Sequence, residues 1–251
     1  MTTITPILEA DLDFDNGRFD SAAFAAQTLS SWQSLAAVID HTLLKPEANR
    51  EQIENLCDEA IRYHFACAMI NPIWVPTAVS MLSGTGIPVG VVIGFPLGAS
   101  LVSTLRQEAA ALIRLGAREL DMVLPIGQLK SGDHQTVERT IHAVATVAHH
   151  QGALLKVILE NCLLTVEEKL RAAEIAIQAG ADFIKTSTGF SSGGATAVDV
   201  ALMRGVAGAR CGVKAAGGIR TLADVRALLE AGANRIGASA SVAIVRELGA
   251  E

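Results

Sequence analysis

The chain has 251 residues, half of them hydrophobic and 18% charged, with a net charge of −6. That length and apolar content suit one sizeable core and exclude a disordered chain. The acidic balance and the lack of a clustered basic stripe exclude nucleic acid as a partner.

The first stretch, "MTTITPILEADLDFDNG", is acidic and polar, without the basic and apolar regions of a signal peptide. No apolar run approaches the roughly 20 residues that span a bilayer, so no membrane partner is expected. Cys57, Cys67, Cys162 and Cys211 are scattered with no CxxC pair, which predicts reduced thiols and a cytoplasmic location. Residues 1–34 read as an N-terminal extension, partly helical around "SAAFAAQTLSSWQSLAAV", packed on the main domain or on a partner.

From about residue 35 one rhythm repeats: a short apolar run, a polar or glycine-rich loop, then a helical stretch. The runs are "LAAVID", "FACAMI", "VGVVIG", "ELDMVL", "LLKVIL", "DFIKTS", "GVKAA" and "NRIGA". They are rich in Val, Ile and Leu, as parallel strands covered on both faces should be. "EANREQIENLCDEAIRYH", "TVEEKLRAAEIAIQAG" and "TLADVRALLEAGAN" carry early acidic residues or late glycine caps, the marks of helices. Eight such units over residues 35–251 predict an α/β fold, a (β/α)8 TIM barrel with an N-terminal helical extension. An open doubly wound sheet is the alternative. It lacks a Gly-x-Gly-x-x-Gly after the first strand, so no dinucleotide cofactor is expected.

Chemistry in such a barrel sits at the C-terminal ends of the strands. Five ionisable residues stand late in the apolar runs: Asp40, Asp121, Lys156, Lys185 and Lys214. Strand alternation sends Leu120, Met122, Ile184, Thr186 and Val213 outward. The same alternation sends Asp121, Lys156, Phe183, Lys185 and Lys214 into the barrel, with Ile158 and Glu160 beside Lys156. A structural ion-pair cluster is the plain reading of one inward lysine. Three inward lysines around an aspartate suit a further purpose, because burial and a neighbouring amine both disfavour protonation. A free lysine, with a pKa near 10.4, is neutral only about once in 2,500 at pH 7. Lys185, with its pKa lowered by burial and by Lys214, is therefore a candidate nucleophile toward a carbonyl.

Glycines and hydroxyls cluster in the last loops, "TSTGFSSGGAT", "AAGGIRT" and "GASASVAI". Backbone N–H groups freed of side chains bind anions, and barrels bind phosphate at these loops. Gly189, Gly217, Gly218, Gly237 and Ser239 are the expected contacts, with Thr188 beside them. The six histidines form no HxxH or HExxH set, and His149 and His150 fall in an expected outer helix, so no metal is predicted.

Several blocks resemble the deoxyribose-phosphate aldolases in order and spacing. They are "IDHTLLKPEA", "INPIWV", "GFPLGA", "ELDMVLPIG", "LKVILEN", "DFIKTSTGF", "VKAAGGIRT" and "RIGASA", spanning residues 35 to about 246. The resemblance implies a metal-free, cofactor-free class I aldolase. Such an enzyme interconverts 2-deoxy-D-ribose 5-phosphate with acetaldehyde and D-glyceraldehyde 3-phosphate, as a homo-oligomer, dimer or tetramer. It implies that Lys185 is the Schiff-base lysine, Lys214 the second lysine and Asp121 the acid/base group acting through a water. Asp40, Thr42 and Lys156 are implied to line the same pocket. Met69 stands where many relatives carry cysteine, and Ala240 where many carry serine, which leaves Ser241 or the backbone to hold phosphate. The sequence ends in "RELGAE" and its only tyrosine is Tyr63, so no tail-borne proton relay is expected. Two other activities fit a phosphate-binding barrel. One is a phosphosugar isomerase or epimerase, which leaves two buried lysines without a purpose. The other is a non-catalytic phosphosugar-binding barrel.

Overall fold

The computed structural model describes residues 18–251; residues 1–17 of the expected N-terminal extension lie outside the described residues. Two short helices come first, α1 (Ser21–Thr28) and α2 (Trp32–Ala36). Asp20 and Ser31 start them by accepting the backbone N–H of Ala23 and Ser34. There follow β1 (Ile39–Leu43), α3 (Arg50–Tyr63), β2 (Cys67–Ile70), α4 (Val75–Leu82), β3 (Val89–Ile93) and α5 (Val102–Arg114). Next come β4 (Glu119–Val123), α6 (Ile126–Lys130), α7 (His134–His150), β5 (Leu154–Ile158), α8 (Val166–Gln178) and β6 (Phe183–Lys185). The chain ends with α9 (Ala197–Ala207), β7 (Gly212–Ala216), α10 (Leu222–Glu230), β8 (Arg235–Ala238) and α11 (Ser241–Glu247).

The eight strands pair in parallel in sequence order, and β8 closes the barrel on β1. The expected (β/α)8 architecture is therefore the observed one. One boundary differs. The run "LAAVID" splits, because Leu35 and Ala36 complete α2 and the strand begins only at Ile39. The Ser31 cap commits the stretch to a helix before the strand can start.

Strand alternation sorts the side chains as the period of two demands. Leu120, Met122, Leu155, Val157, Ile184, Val213, Ala215 and Ile236 join the large core between the strands and the helices. Inside the barrel, Leu44, Cys67, Met69 and Val92 form a small separate apolar cluster with Phe95 against it. Most of the remaining interior side chains are charged, above a floor made by Phe183. Helix starts are well specified, since Asn49, Thr165 and Thr221 each complete a reciprocal capping box with Gln52, Glu168 and Asp224.

The segment before β1 packs on the outside of the barrel, α1 against α10 and α2 against α11. Arg204 of α9 anchors it. Its guanidinium lies 4.0 Å from the centre of the Phe19 ring and donates to the carbonyls of Gly232, Gly208 and Cys211. His149 lies on outer helix α7, as expected, 2.9 Å from Asp182. Among the described residues, no helix is long and apolar enough to cross a membrane.

Phe183 fills the floor of the barrel because its lateral neighbour in β7 is Gly212. A Cβ on Gly212 would lie 2.2 Å from the Phe183 ring carbons. Gly212→Ala should therefore destabilise by about 1–3 kcal/mol through overpacking, read as a lower urea midpoint at unchanged slope.

Candidate active site

Seven ionisable side chains from six strands meet inside the barrel. Asp40 comes from β1, Glu119 and Asp121 from β4, Lys156 from β5, Lys185 from β6, Lys214 from β7 and Arg235 from β8. The register sets them at matching heights: Asp121 sits beside Lys156, and Lys185 beside Lys214. Neighbouring strands are about 4.8 Å apart, so side chains at one height touch.

Asp121 is the hub. Its Oδ2 accepts hydrogen bonds from Lys185 Nζ and Lys214 Nζ, both at 2.7 Å, and its Oδ1 accepts from Lys156 Nζ at 3.0 Å. The two amines singled out in the sequence thus share one carboxylate oxygen. Asp40 also contacts Lys214, lies 3.4 Å from Lys156 and has its Oδ1 2.9 Å from Arg235 Nε. The last of these contacts is ion pairing rather than a directed hydrogen bond, for Nε has no hydrogen-bond acceptor. Beneath them Glu119 binds Lys156 and, at 2.6 Å, Arg235 Nη2.

These contacts set the ionisation states. Burial pulls the Lys185 ammonium down to about 8; Asp121 opposes that pull, while Lys214 and Lys156 add to it. Asp121 would be raised by burial, but Lys156, Lys185 and Lys214 together hold it well below the usual carboxylate range. Burial likewise works against Asp40, and Arg235, Lys156 and Lys214 overcome it. For Lys156, burial is outweighed by Asp121, Asp40 and Glu119, which hold it well above the usual lysine range. Of these two lysines, Lys185 is therefore the one prepared to lose its proton near neutrality. Asp40, Cys67 and Glu119 could in principle hold a cation. Their carboxylates are instead paired with Lys156, Lys214 and Arg235. Burial raises the Cys67 thiol well above its ordinary value, so this donor set does not suit a metal ion.

The remaining expected residues fall into two groups. Asp40 and Lys156, expected in the pocket lining, are fully buried and face charged partners. Gly237 lies within β8 rather than on the rim. A Cβ there would stand 3.0 Å from Lys214 Cε, so this glycine makes room for the second lysine. Thr42 sits two residues after Asp40, and its hydroxyl donates to the Asp40 carbonyl at 2.8 Å. Gly189, Gly217 and Gly218 lie in the loops after β6 and β7, all with positive φ, and Ser239 follows β8 in an exposed position. The loop after β6 closes directly on Gly217. Ala195 N–H donates to the Gly217 carbonyl at 3.0 Å, and a Cβ on Gly194 would strike that oxygen at 2.2 Å. The C-terminal Glu251 carbonyl accepts from Tyr63 Oη at 3.1 Å, at the end of α3.

Three participants were not singled out as site residues from the sequence. Glu119 and Arg235 point inward by the same alternation as Asp121, but stand at the opening ends of their runs, where no chemistry is sought. Glu160, at left-handed φ 57, accepts from the backbone N–H and the hydroxyl of Thr188.

A closed parallel barrel with two lysines on one carboxylate near its strand ends defines a barrel enzyme with an amine-lined pocket. Residues 34–247 match the DeoC/LacD family aldolases. A deoxyribose-phosphate aldolase from Thermoanaerobacter sp. (strain X514) is 54% identical over 215 residues, covering 85% of this chain and 96% of the relative. One from Listeria monocytogenes serovar 1/2a is 55% identical over 212 residues, 84% of this chain and 95% of the relative. The tetrameric deoxyribose phosphate aldolase of Aeropyrum pernix matches with a TM-score of 0.84 at 34% identity, over 91% of this chain and 96% of that one. The chain belongs to the DeoC/LacD aldolase family and is a lyase of the class I aldolase type.

Removing the hub should expose its role. Asp121→Asn leaves three buried ammonium groups short of one charge and is expected to cost about 3–5 kcal/mol of stability in a denaturant titration. Because Asp121 opposes the loss of the Lys185 proton, the same change should lower the Lys185 pKa further, seen by NMR of the labelled amine.

Proposed function

We propose that this protein is a deoxyribose-phosphate aldolase, cleaving 2-deoxy-D-ribose 5-phosphate reversibly to acetaldehyde and D-glyceraldehyde 3-phosphate through a Schiff base on Lys185. The observation that carries this reading is the sharing of one Asp121 oxygen by Lys185 and Lys214, with the Lys185 amine lowered to about 8. At pH 7 such an amine is neutral roughly a tenth of the time, against about one in 2,500 for a free lysine.

In the cleavage direction neutral Lys185 attacks C1 of the open-chain sugar, and loss of water gives an iminium ion. That cation accepts the electron pair released when the C2–C3 bond breaks. A base must remove the C3 hydroxyl proton as this happens. Asp121 is ionised and touches the amine, so it takes that role through a water. Glyceraldehyde 3-phosphate departs, the enamine is protonated at C2, and water releases acetaldehyde and the free amine. Lys214 supplies positive charge beside the reacting nitrogen and shares the proton transfers. Every proton in this sequence moves between groups of the chain, water and substrate.

The glycine loops after β6 and β7, together with Ser239, would hold the phosphate by backbone N–H groups and a hydroxyl. A cytoplasmic location and a homo-oligomeric state are part of the same reading. The first rests on scattered cysteines, the second on the Aeropyrum relative, which is a tetramer.

Borohydride reduction in the presence of acetaldehyde should add about 28 Da, mapped to the peptide carrying Lys185 and absent in Lys185→Leu. No added mass would favour an isomerase or a binding protein on the same scaffold. Adduct formation should also depend on pH. The reactive form is the unprotonated amine, so the rate rises as pH increases and levels off above about 8. A rate still rising steeply at pH 10 would contradict the lowered amine.

A further inference from the structure

Glu160 is a carboxylate the proposed mechanism does not use, yet it is 2% exposed and lies beside the site. Asp40, Glu119 and Asp121 all meet lysine or arginine, whereas among the described residues Glu160 makes no ion pair. Its oxygens instead take both donors of a single residue. Oε1 accepts the Thr188 N–H at 3.2 Å, and Oε2 accepts the Thr188 hydroxyl. The Thr188 hydroxyl oxygen in turn accepts the Phe190 N–H at 3.0 Å. With its N–H and O–H both spent on Glu160, Thr188 has no donor left for a substrate. Glu160 reaches it from a left-handed backbone conformation, φ 57 and ψ 60, which a residue with a Cβ adopts only when its surroundings enforce it.

The position of Thr188 gives this clamp its meaning. Thr188 lies three residues after Lys185 and immediately before Gly189, whose Cβ position would come within 3.9 Å of Gly217 Cα. The backbone either side of Glu160 reinforces the link. Leu159 N–H donates to the Lys185 carbonyl at 2.9 Å, and Asn161 N–H to that of Thr186 at 3.0 Å. Resting on the aldolase reading, we propose that Glu160 is a positioning residue. It fixes the turn that joins the reacting amine to the glycine loops, and so sets the span between the carbon end and the phosphate end of the substrate. A substrate held at both ends depends on that span, and one held only at the amine does not.

The experiment compares 2-deoxyribose 5-phosphate with unphosphorylated 2-deoxyribose in Glu160→Gln, Thr188→Val, Thr188→Ser and the double variant Glu160→Gln/Thr188→Val. Glutamine keeps the size of glutamate but turns an NH2 toward a donor. Glu160→Gln and Thr188→Val should each lose about tenfold or more in kcat/KM on the phosphorylated sugar, mostly through KM, and stay within about twofold on the other. Thr188→Ser, which keeps the hydroxyl, should restore most of the loss, and the double variant should be no worse than the poorer single one. Equal losses on both sugars would mark a general structural role and overturn the inference, as would no loss on either. If Glu160→Gln does not fold, the Thr188→Val and Thr188→Ser pair answers the same question. Failure of the unaltered enzyme to trap acetaldehyde is a different result, which would remove the aldolase reading and this inference with it.

Discussion

The interior of this barrel depends on one carboxylate surrounded by three ammonium groups. Asp121 meets Lys156, Lys185 and Lys214, and without it those amines would face one another in a dry cavity. The whole set holds four cationic side chains and three acidic ones, so full ionisation leaves a surplus of positive charge. Of the four, Lys185 has the fewest acidic contacts. Lys156 touches three carboxylates, Lys214 and Arg235 two each, and Lys185 only Asp121. A buried group with the least compensation is the one that gives up its proton. The reactivity assigned to Lys185 thus follows from where the acids stand as much as from the second lysine.

Much of this was legible in the residues because a strand has a period of two. The alternation that buries Leu120 and Met122 among the helices turns Asp121 inward, and the same count places Lys156, Lys185 and Lys214. Register was not legible. That Lys185 lies beside Lys214, and Asp121 beside Lys156, follows from how eight strands stagger when the sheet closes. Arg235 and Glu119 escaped because a search at the closing ends of strands passes over residues at their start. Alternation turned Glu160 inward, but its left-handed backbone carried no signal, since that conformation is ordinarily announced by glycine or asparagine. Leu35 and Ala36 were misplaced because a short apolar run fits a buried helix as well as a strand.

The two sides of the pocket have unlike chemistry. Leu44, Cys67, Met69, Val92 and Phe95 make the apolar side over β1 to β3, and the charged set lies mainly on β4 to β8. Met69 brings a thioether, and the Cys67 thiol is fully buried and held protonated. The Cys67 thiol is therefore not a competing nucleophile on the interior wall. An apolar flank also keeps water from screening the charges opposite, which is what lets burial dominate the Lys185 amine.

Burial that is too complete would defeat the proposed chemistry, because the amine assigned to react must also reach an aldehyde. The place of each amine along its strand bears on this conflict. Lys156 and Arg235 are held ionised by the acids around them. Lys185 ends β6, at the edge of the sheet where the strands give way to loops. The turn that follows carries Ser187 and Thr188, both buried, directly after the amine-bearing strand. Its geometry cannot come from strand pairing, which stops at Lys185 and Thr186, so side-chain contacts must supply it. That places the demand on residues beyond the strand ends, and Glu160 and Thr188 meet it with two hydrogen bonds between a carboxylate and a single residue.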